Sequence, residues 1–160
     1  MVKYKEDSVS VVFSEIPDKV SLAIEITNCP HRCKECHSPW LRDDIGEELT
    51  PDRLCELIEN NHGINCVVFM GEGKDPEGLK LLAMMVLTKY PKIKVALYSG
   101  REEVEKEYDQ FFDYIKIGPY IPECGGLDRD TTNQRLYEVE RSIDGRTNRK
   151  DITNKFWKKI

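Results

Sequence analysis

Val20-Ser-Leu-Ala-Ile-Glu-Ile-Thr27 runs without a break into Asn28-Cys-Pro-His-Arg-Cys-Lys-Glu-Cys-His-Ser-Pro-Trp40. In the first segment Val20, Leu22, Ile24 and Ile26 fall on one face, and Ser21, Ala23, Glu25 and Thr27 on the other. A period of two is that of a β-strand. The second segment holds three of the six cysteines, Cys29, Cys33 and Cys36, spaced C-x3-C-x2-C. Loops that leave the C-terminal end of a strand are where α/β folds carry their chemistry. These two segments therefore direct both the reading of the fold and the search for a site.

Thiolates this close together suit a soft metal, and the residues leave several readings open. A structural zinc site closes with four ligands, and His31 or His37 would supply the fourth. A cubane iron–sulfur cluster closes with four cysteines, so three leave one iron open for chemistry. A disulfide belongs to an oxidising compartment. Cys33-Lys-Glu-Cys36-His37 also spells the C-x-x-C-H of c-type haem attachment, which requires export.

The first twenty residues hold no apolar signal-like core, and no apolar run long enough to span a bilayer occurs anywhere. A cytoplasmic location is expected, where clustered thiols mean metal or catalysis. A length of 160 residues, 39% hydrophobic and 33% charged, reads as one globular domain, 1–160. The net charge of −5 argues against nucleic acid as the main partner. It is unevenly spread. From Arg141 to Ile160 seven Lys/Arg face two Asp, a net +5, so residues 1–140 carry −10. This basic tail, about 141–160, reads as a solvated terminal helix, or as a surface for RNA or an acidic protein.

Strand and helix signals alternate along the chain. Met1 to Asp7 reads as a ragged start, and Ser8 to Phe13 as a strand. Asp43-Asp44 to Glu47-Glu48 reads as a solvated acidic loop. Thr50-Pro51-Asp52 is a helix start, with Thr as N-cap and Pro at the first position. Leu54, Leu57 and Ile58 form its stripe, and the turn around His62 ends it. Ile64 to Met70 is a buried strand, Pro76 to Tyr90 a helix, and Ile93 to Tyr98 a strand. Glu102 to Phe112 reads as a third helix, Tyr114 to Ile117 and Leu136 to Val139 as strands. Such alternation predicts βαβ units around a mainly parallel sheet. The chain is too short for an eight-unit barrel of about 250 residues. The expected fold is α/β, a partial, open barrel of about four to six strands. Cys55 and Cys66 read as small buried hydrophobes, and Cys124 as a loop thiol of structural or incidental role.

The cysteine motif resembles that of the radical S-adenosylmethionine (radical SAM) enzymes. There, three such cysteines bind a [4Fe–4S] cluster, and S-adenosyl-L-methionine chelates the fourth iron. The resemblance implies Cys29, Cys33 and Cys36 as metal ligands and no catalytic side chain beyond them. It implies cofactor contacts at Glu35, Cys36 and His37, where Glu35 replaces the family's usual aromatic residue. It also implies contacts at Gly71, Glu72 and Gly73, which depart from a Gly-Gly-acidic motif that holds the methionine amino group. By fold position, Ser99 and Lys116 are candidates for the ribose or the methionine carboxylate.

Further on, Gly118-Pro119-Tyr120, Gly125-Gly126-Leu127 and Thr131-Thr132-Asn133-Gln134-Arg135 resemble the C-terminal signature of activating enzymes for anaerobic ribonucleoside-triphosphate reductase. That resemblance covers about residues 20–140. It implies an oxidoreductase that receives an electron from reduced flavodoxin or ferredoxin. It cleaves S-adenosylmethionine to methionine and a 5′-deoxyadenosyl radical, and generates a glycyl radical on the reductase large subunit. Gly125, Gly126, Thr131, Thr132, Asn133, Gln134 and Arg135 are then the partner-binding positions. Two alternatives stay open: a radical SAM enzyme acting on another protein or small substrate, and a non-enzymatic zinc module.

Overall fold

Short aliphatic runs separated by proline-started helices give this chain its order of elements. The structure, a computed structural model, describes residues 1–27 and 45–157. In chain order these are β1 (Lys3–Tyr4), β2 (Ser10–Val12), β3 (Ser21–Glu25), β4 (Glu47–Glu48), α1 (Pro51–Glu59), β5 (Cys66–Met70), α2 (Pro76–Lys89), β6 (Lys94–Tyr98), β7 (Tyr114–Ile117), β8 (Arg135–Arg141) and β9 (Thr147–Asp151). Three 3-10 turns, at Glu6–Ser8, Lys106–Gln110 and Thr153–Phe156, complete the described elements.

Seven strands form one mixed sheet in the order β2-β3-β5-β6-β7-β8-β9. Strands β3, β5, β6 and β7 run parallel, while β2, β8 and β9 are antiparallel to their neighbours. The sheet is open, and it has one strand more than the upper limit expected from the sequence. Each parallel strand lies beside the next one in the chain. Crossovers of one hand that always advance in one direction leave their helices on one face. Accordingly Leu22, Ile24, Val67, Phe69, Val95, Leu97 and Ile115 share a core with Leu54 and Ile58 of α1 and with Leu79, Leu82, Ala83 and Val86 of α2. The opposite face carries smaller side chains, Ala23, Cys66, Val68 and Ala96, covered by Ile16, Ile152 and Phe156. Burial on both faces explains why β5 reads as a continuous apolar run.

The helix starts follow their sequence signals. The Thr50 hydroxyl accepts from Arg53 N at 3.1 Å, and Asp75 caps α2 by accepting from Gly78 N at 3.0 Å. Other expectations are overturned. Glu102 to Phe112 forms only the 3-10 turn Lys106–Gln110. Val104, Tyr108 and Phe112 do face the core, but acidic side chains at 102, 103, 105, 107 and 109 repel one another at helical spacing. The short apolar stripe does not offset helix nucleation. The ragged N-terminus is in fact tied down: β1 pairs with β4, and buried Tyr4 accepts from Arg53 Nε at 2.8 Å. That pairing also makes Glu47–Glu48 a strand rather than part of a solvated loop.

Among the described residues of the basic tail there is no α-helix, only the 3-10 turn Thr153–Phe156. Residues 135–151 form the β8–β9 hairpin, turned at Asp144-Gly145, where Gly145 has φ +87°. Asp-Gly is a hairpin turn signal because the glycine accepts a positive φ. Among the described residues no helix is long and apolar enough to cross a membrane.

Candidate functional site

Parallel strands end together. In the sheet register Glu25 pairs with Met70, Met70 with Tyr98, and Tyr98 with Lys116. The segments that leave β3, β5, β6 and β7 therefore emerge side by side along one edge. Cys29, Cys33, Cys36, Glu35 and His37 lie outside the described residues. The two ends of their segment are described, and they meet: the Thr27 hydroxyl donates to Ile45 O at 2.6 Å. Thr27 and Ile45, which flank residues 28–44, thus meet at the C-terminal end of β3.

Beside that point is the turn after β5. Gly71 and Gly73 have φ of +105° and +67°, which glycine adopts at little cost. A Cβ on Gly71 would come to 3.3 Å from Ile26 O, and one on Gly73 to 2.9 Å from Ile26 Cγ2 and 3.3 Å from Thr27 O. The turn lies against the end of β3 at a distance that a Cβ would crowd. A cavity of about 290 Å³ opens here between residues 1–3, Ile26–Thr27 and Glu72–Asp75.

Glu72 is buried, and among the described residues its carboxylate accepts from four donor atoms. Ser99 Oγ (2.5 Å) and Arg101 Nε (3.0 Å) reach Oε2; Arg101 Nη2 (2.9 Å) and Tyr108 OH (3.3 Å) reach Oε1. Ser99 Oγ also accepts from Arg101 N at 3.1 Å. Arg101 extends the network to Glu105 through two bonds of 2.9 and 3.0 Å. Glu105 and Glu72, named in order of their effect, hold the guanidinium far above its ordinary pKa. In return, the guanidinium draws the Glu105 carboxyl down to about 2. Burial, then the neighbouring Glu72 charge, raises the pKa of Tyr108.

Lys116 is also buried, and its ammonium donates to Ser99 O (3.2 Å) and Gly118 O (2.8 Å). Backbone bonds from Gly71 N to Tyr98 O, Ser99 N to Lys116 O and Gly118 N to Arg101 O continue the same belt. The structure thus brings Gly71, Glu72, Gly73, Ser99 and Lys116 to one edge, where Ser99 links to Glu72 through its hydroxyl and to Lys116 through its carbonyl. Arg101 and Tyr108 were not singled out from the sequence. The only available signal was Arg101 four residues before Glu105, a spacing shared by many surface pairs.

The 118–134 loop joins this edge. Gln134 Nε2 donates to Gly118 O at 3.3 Å, the carbonyl that also receives Lys116. Asn133 Nδ2 donates to Pro119 O at 3.0 Å. The Thr131 and Thr132 hydroxyls donate to Cys124 O (2.6 Å) and Gly125 O (3.1 Å). Gly125 is buried with φ +84°, and Gly126 is half-buried. Arg135, half-exposed, lies 3.6 Å from Asp151. Thr132 and Gln134 are buried, so much of this polar stretch satisfies its own loop.

The remaining cysteines are free thiols. Cys66 is fully buried and its thiol is pushed up to about 12, chiefly by desolvation. Cys55 is half-buried, 3.4 Å from Lys89 Nζ. Cys124 is half-buried near Thr131, in the loop beyond β7. Among the described residues no three His, Cys, Asp or Glu side chains are grouped to hold a metal. Comparisons of the chain with protein-family models, curated proteins and solved structures find no match.

Proposed function

We propose that this chain is a radical SAM activating enzyme, with a partial, open barrel-type sheet, which generates a glycyl radical on anaerobic ribonucleoside-triphosphate reductase. One observation carries the reading. The residues that flank the three-cysteine segment, Thr27 and Ile45, meet at the end of β3, beside a glycine turn on the neighbouring strand. The single-direction crossovers suit an open barrel. The residues fit the cofactors. Three thiolates are the donor set of an iron–sulfur cluster with one open iron. The Gly71–Gly73 turn provides a close backbone approach that any Cβ would fill.

Cys29, Cys33 and Cys36 would hold the cluster, and the backbone of Gly71–Gly73 would meet the amino-acid end of S-adenosyl-L-methionine. The bound pair would supply reductive cleavage of the sulfonium, driven by an electron from flavodoxin or ferredoxin. The chain's own part is positioning and exclusion of water. The belt of Glu72, Ser99, Arg101 and Lys116 fixes the strand ends from below. The 118–134 loop, held to Gly118 and Pro119, fixes a polar rim on the same edge. There Thr131 and Arg135 would meet the protein partner, while Asn133 holds the rim in place through Pro119 O.

Anaerobic reconstitution tests the reading. About four irons and matching sulfide per chain are expected. The cluster should be lost in Cys29→Ala, Cys33→Ala or Cys36→Ala and kept in Cys55→Ala and Cys66→Ala. With reductant and the cognate reductase, an EPR glycyl-radical signal should appear on the reductase. Asn133→Ala with Arg135→Ala should weaken that signal about tenfold while sparing cofactor cleavage. A single zinc without sulfide would sink the proposal. Cleavage without any reductase radical would leave a radical SAM enzyme of another substrate.

A further inference from the structure

The acidic residue of the glycine turn is the natural candidate to receive a ligand's ammonium group, yet its carboxylate is already committed. A carboxylate offers about four lone-pair directions. Here Ser99 Oγ, Arg101 Nε, Arg101 Nη2 and Tyr108 OH occupy them. The two arginine bonds form a bidentate fork, the strongest geometry available to this pair. An ammonium on the same carboxylate would have to displace a part-buried guanidinium and leave it with Glu105 alone, which is costly. The fork also joins the turn after β5 to the turn after β6, beneath the glycines.

We infer that Glu72 and Arg101 are a positioning pair, a clasp that fixes the Gly71–Gly73 turn, and that Glu72 is not the group that binds the ligand's ammonium. The inference rests on the proposed function for the identity of that ligand, S-adenosylmethionine, and names Arg101 as a further residue the site requires. Specificity for the amino-acid end then comes from main-chain groups at the glycine turn and the end of β3, held in register by the clasp. A direct ligand and a clasp make opposite demands on Arg101. For a direct ligand, Arg101 is a competitor whose removal frees the carboxylate. For a clasp, Arg101 and Glu72 are equal partners.

Equilibrium binding of S-adenosylmethionine to the anaerobically reconstituted protein, and melting of the same protein without it, distinguish the two. Glu72→Gln, Arg101→Met and the double variant are compared with wild type. A clasp predicts that both single variants weaken binding by similar factors and that the double variant is no worse than the poorer single. It also predicts that the melting losses of the two singles are far from additive in the double, as for groups in direct contact. Arg101→Lys, which cannot form the fork, should not restore binding. A loss of about tenfold or more in Glu72→Gln, with Arg101→Met equal to or tighter than wild type, is the mark of a direct charged contact and would overturn the inference. Additive melting losses would overturn it too. If wild type binds no S-adenosylmethionine at all, the proposed function fails, while the melting comparison still decides the clasp. Should Glu72→Gln fail to fold, Glu72→Asp, too short for the same fork, replaces it with the same expectations.

Discussion

Nearly every side chain of β3 and β5 is buried, whereas β9 has none fully buried. The parallel strands are held by aliphatic packing on both faces, where each buried methylene contributes about 0.8 kcal/mol. The β8–β9 hairpin buries Leu136 and Val139 of β8 and is otherwise held by charge. Arg149 Nε donates to Asp109 Oδ1 at 2.6 Å, and Thr147 donates to Asp109 Oδ2 at 2.8 Å. Arg141 donates to Asp113 Oδ1 at 2.7 Å, and Val95 N to Asp113 Oδ2 at 2.9 Å. Both aspartates are buried. The excess cations of the tail are thus in part structural: two of them dock the hairpin onto the turn before β7. The charged edge at β9 also discourages pairing with another sheet. The candidate site sits in neither regime alone, since buried charges of the Glu72–Arg101 kind occur at the mouth of the apolar half.

The largest effect is expected in the aliphatic half. Phe69, fully buried and edge-on to Phe112 at 6.5 Å, should cost about 3–5 kcal/mol as Phe69→Ala in denaturant unfolding. A loss under about 1 kcal/mol would mean that this core does not carry the fold. Next, Asp109→Ala should cost about 1.5–3 kcal/mol, the range for hydrogen bonds to charged groups. Because the harm lies in stranding Arg149, Asp109→Leu with Arg149→Met should recover much of it. No recovery would show that the hairpin is not held by charge. Gly73→Ala comes third, at about 1–2 kcal/mol for an L-residue at positive φ. It should also weaken S-adenosylmethionine binding, and unchanged binding would remove the glycine turn from the site.

The smallest effect belongs to Glu105, more than half exposed beside Arg101. Its pKa, drawn from 4.5 to about 2, means that its contribution is present above the unfolded value and fades as pH falls from about 4.5 toward about 2. Solvent screening limits that contribution to about 0–1 kcal/mol. Glu105→Gln should therefore lower stability slightly at neutral pH and not at all near pH 2. An equal loss at both pH values would show that the side chain acts through packing.

Much of the architecture was legible because local signals agreed with the tertiary outcome. The Thr50-Pro51 helix start, the proline-led α2 and the strands at 66–70, 94–98 and 114–117 all lie where the residues indicated. The misreadings have identifiable causes. In 102–112 the apolar spacing was helical, but like charges and a short stripe left only a 3-10 turn. In the tail, net charge was read before turn chemistry, and the Asp144-Gly145 hairpin signal was passed over. Of the residues gathered at this edge, Gly71, Glu72, Gly73, Ser99 and Lys116 stand at strand ends that the sequence already marks. Arg101 and Tyr108 are not so marked, because their partner Glu72 is 29 and 36 residues away along the chain.

The residues by themselves determined the parallel βαβ order, the helix caps and the grouping of Cys29, Cys33 and Cys36, since periodicity, capping and spacing are local properties. Only the tertiary structure decided that Thr27 meets Ile45, that Glu72 closes on Arg101, and that Thr147–Asp151 of the basic tail pairs as a strand with β8. Each of these pairs distant residues, and a sequence states which groups can bond but not which will be brought within reach.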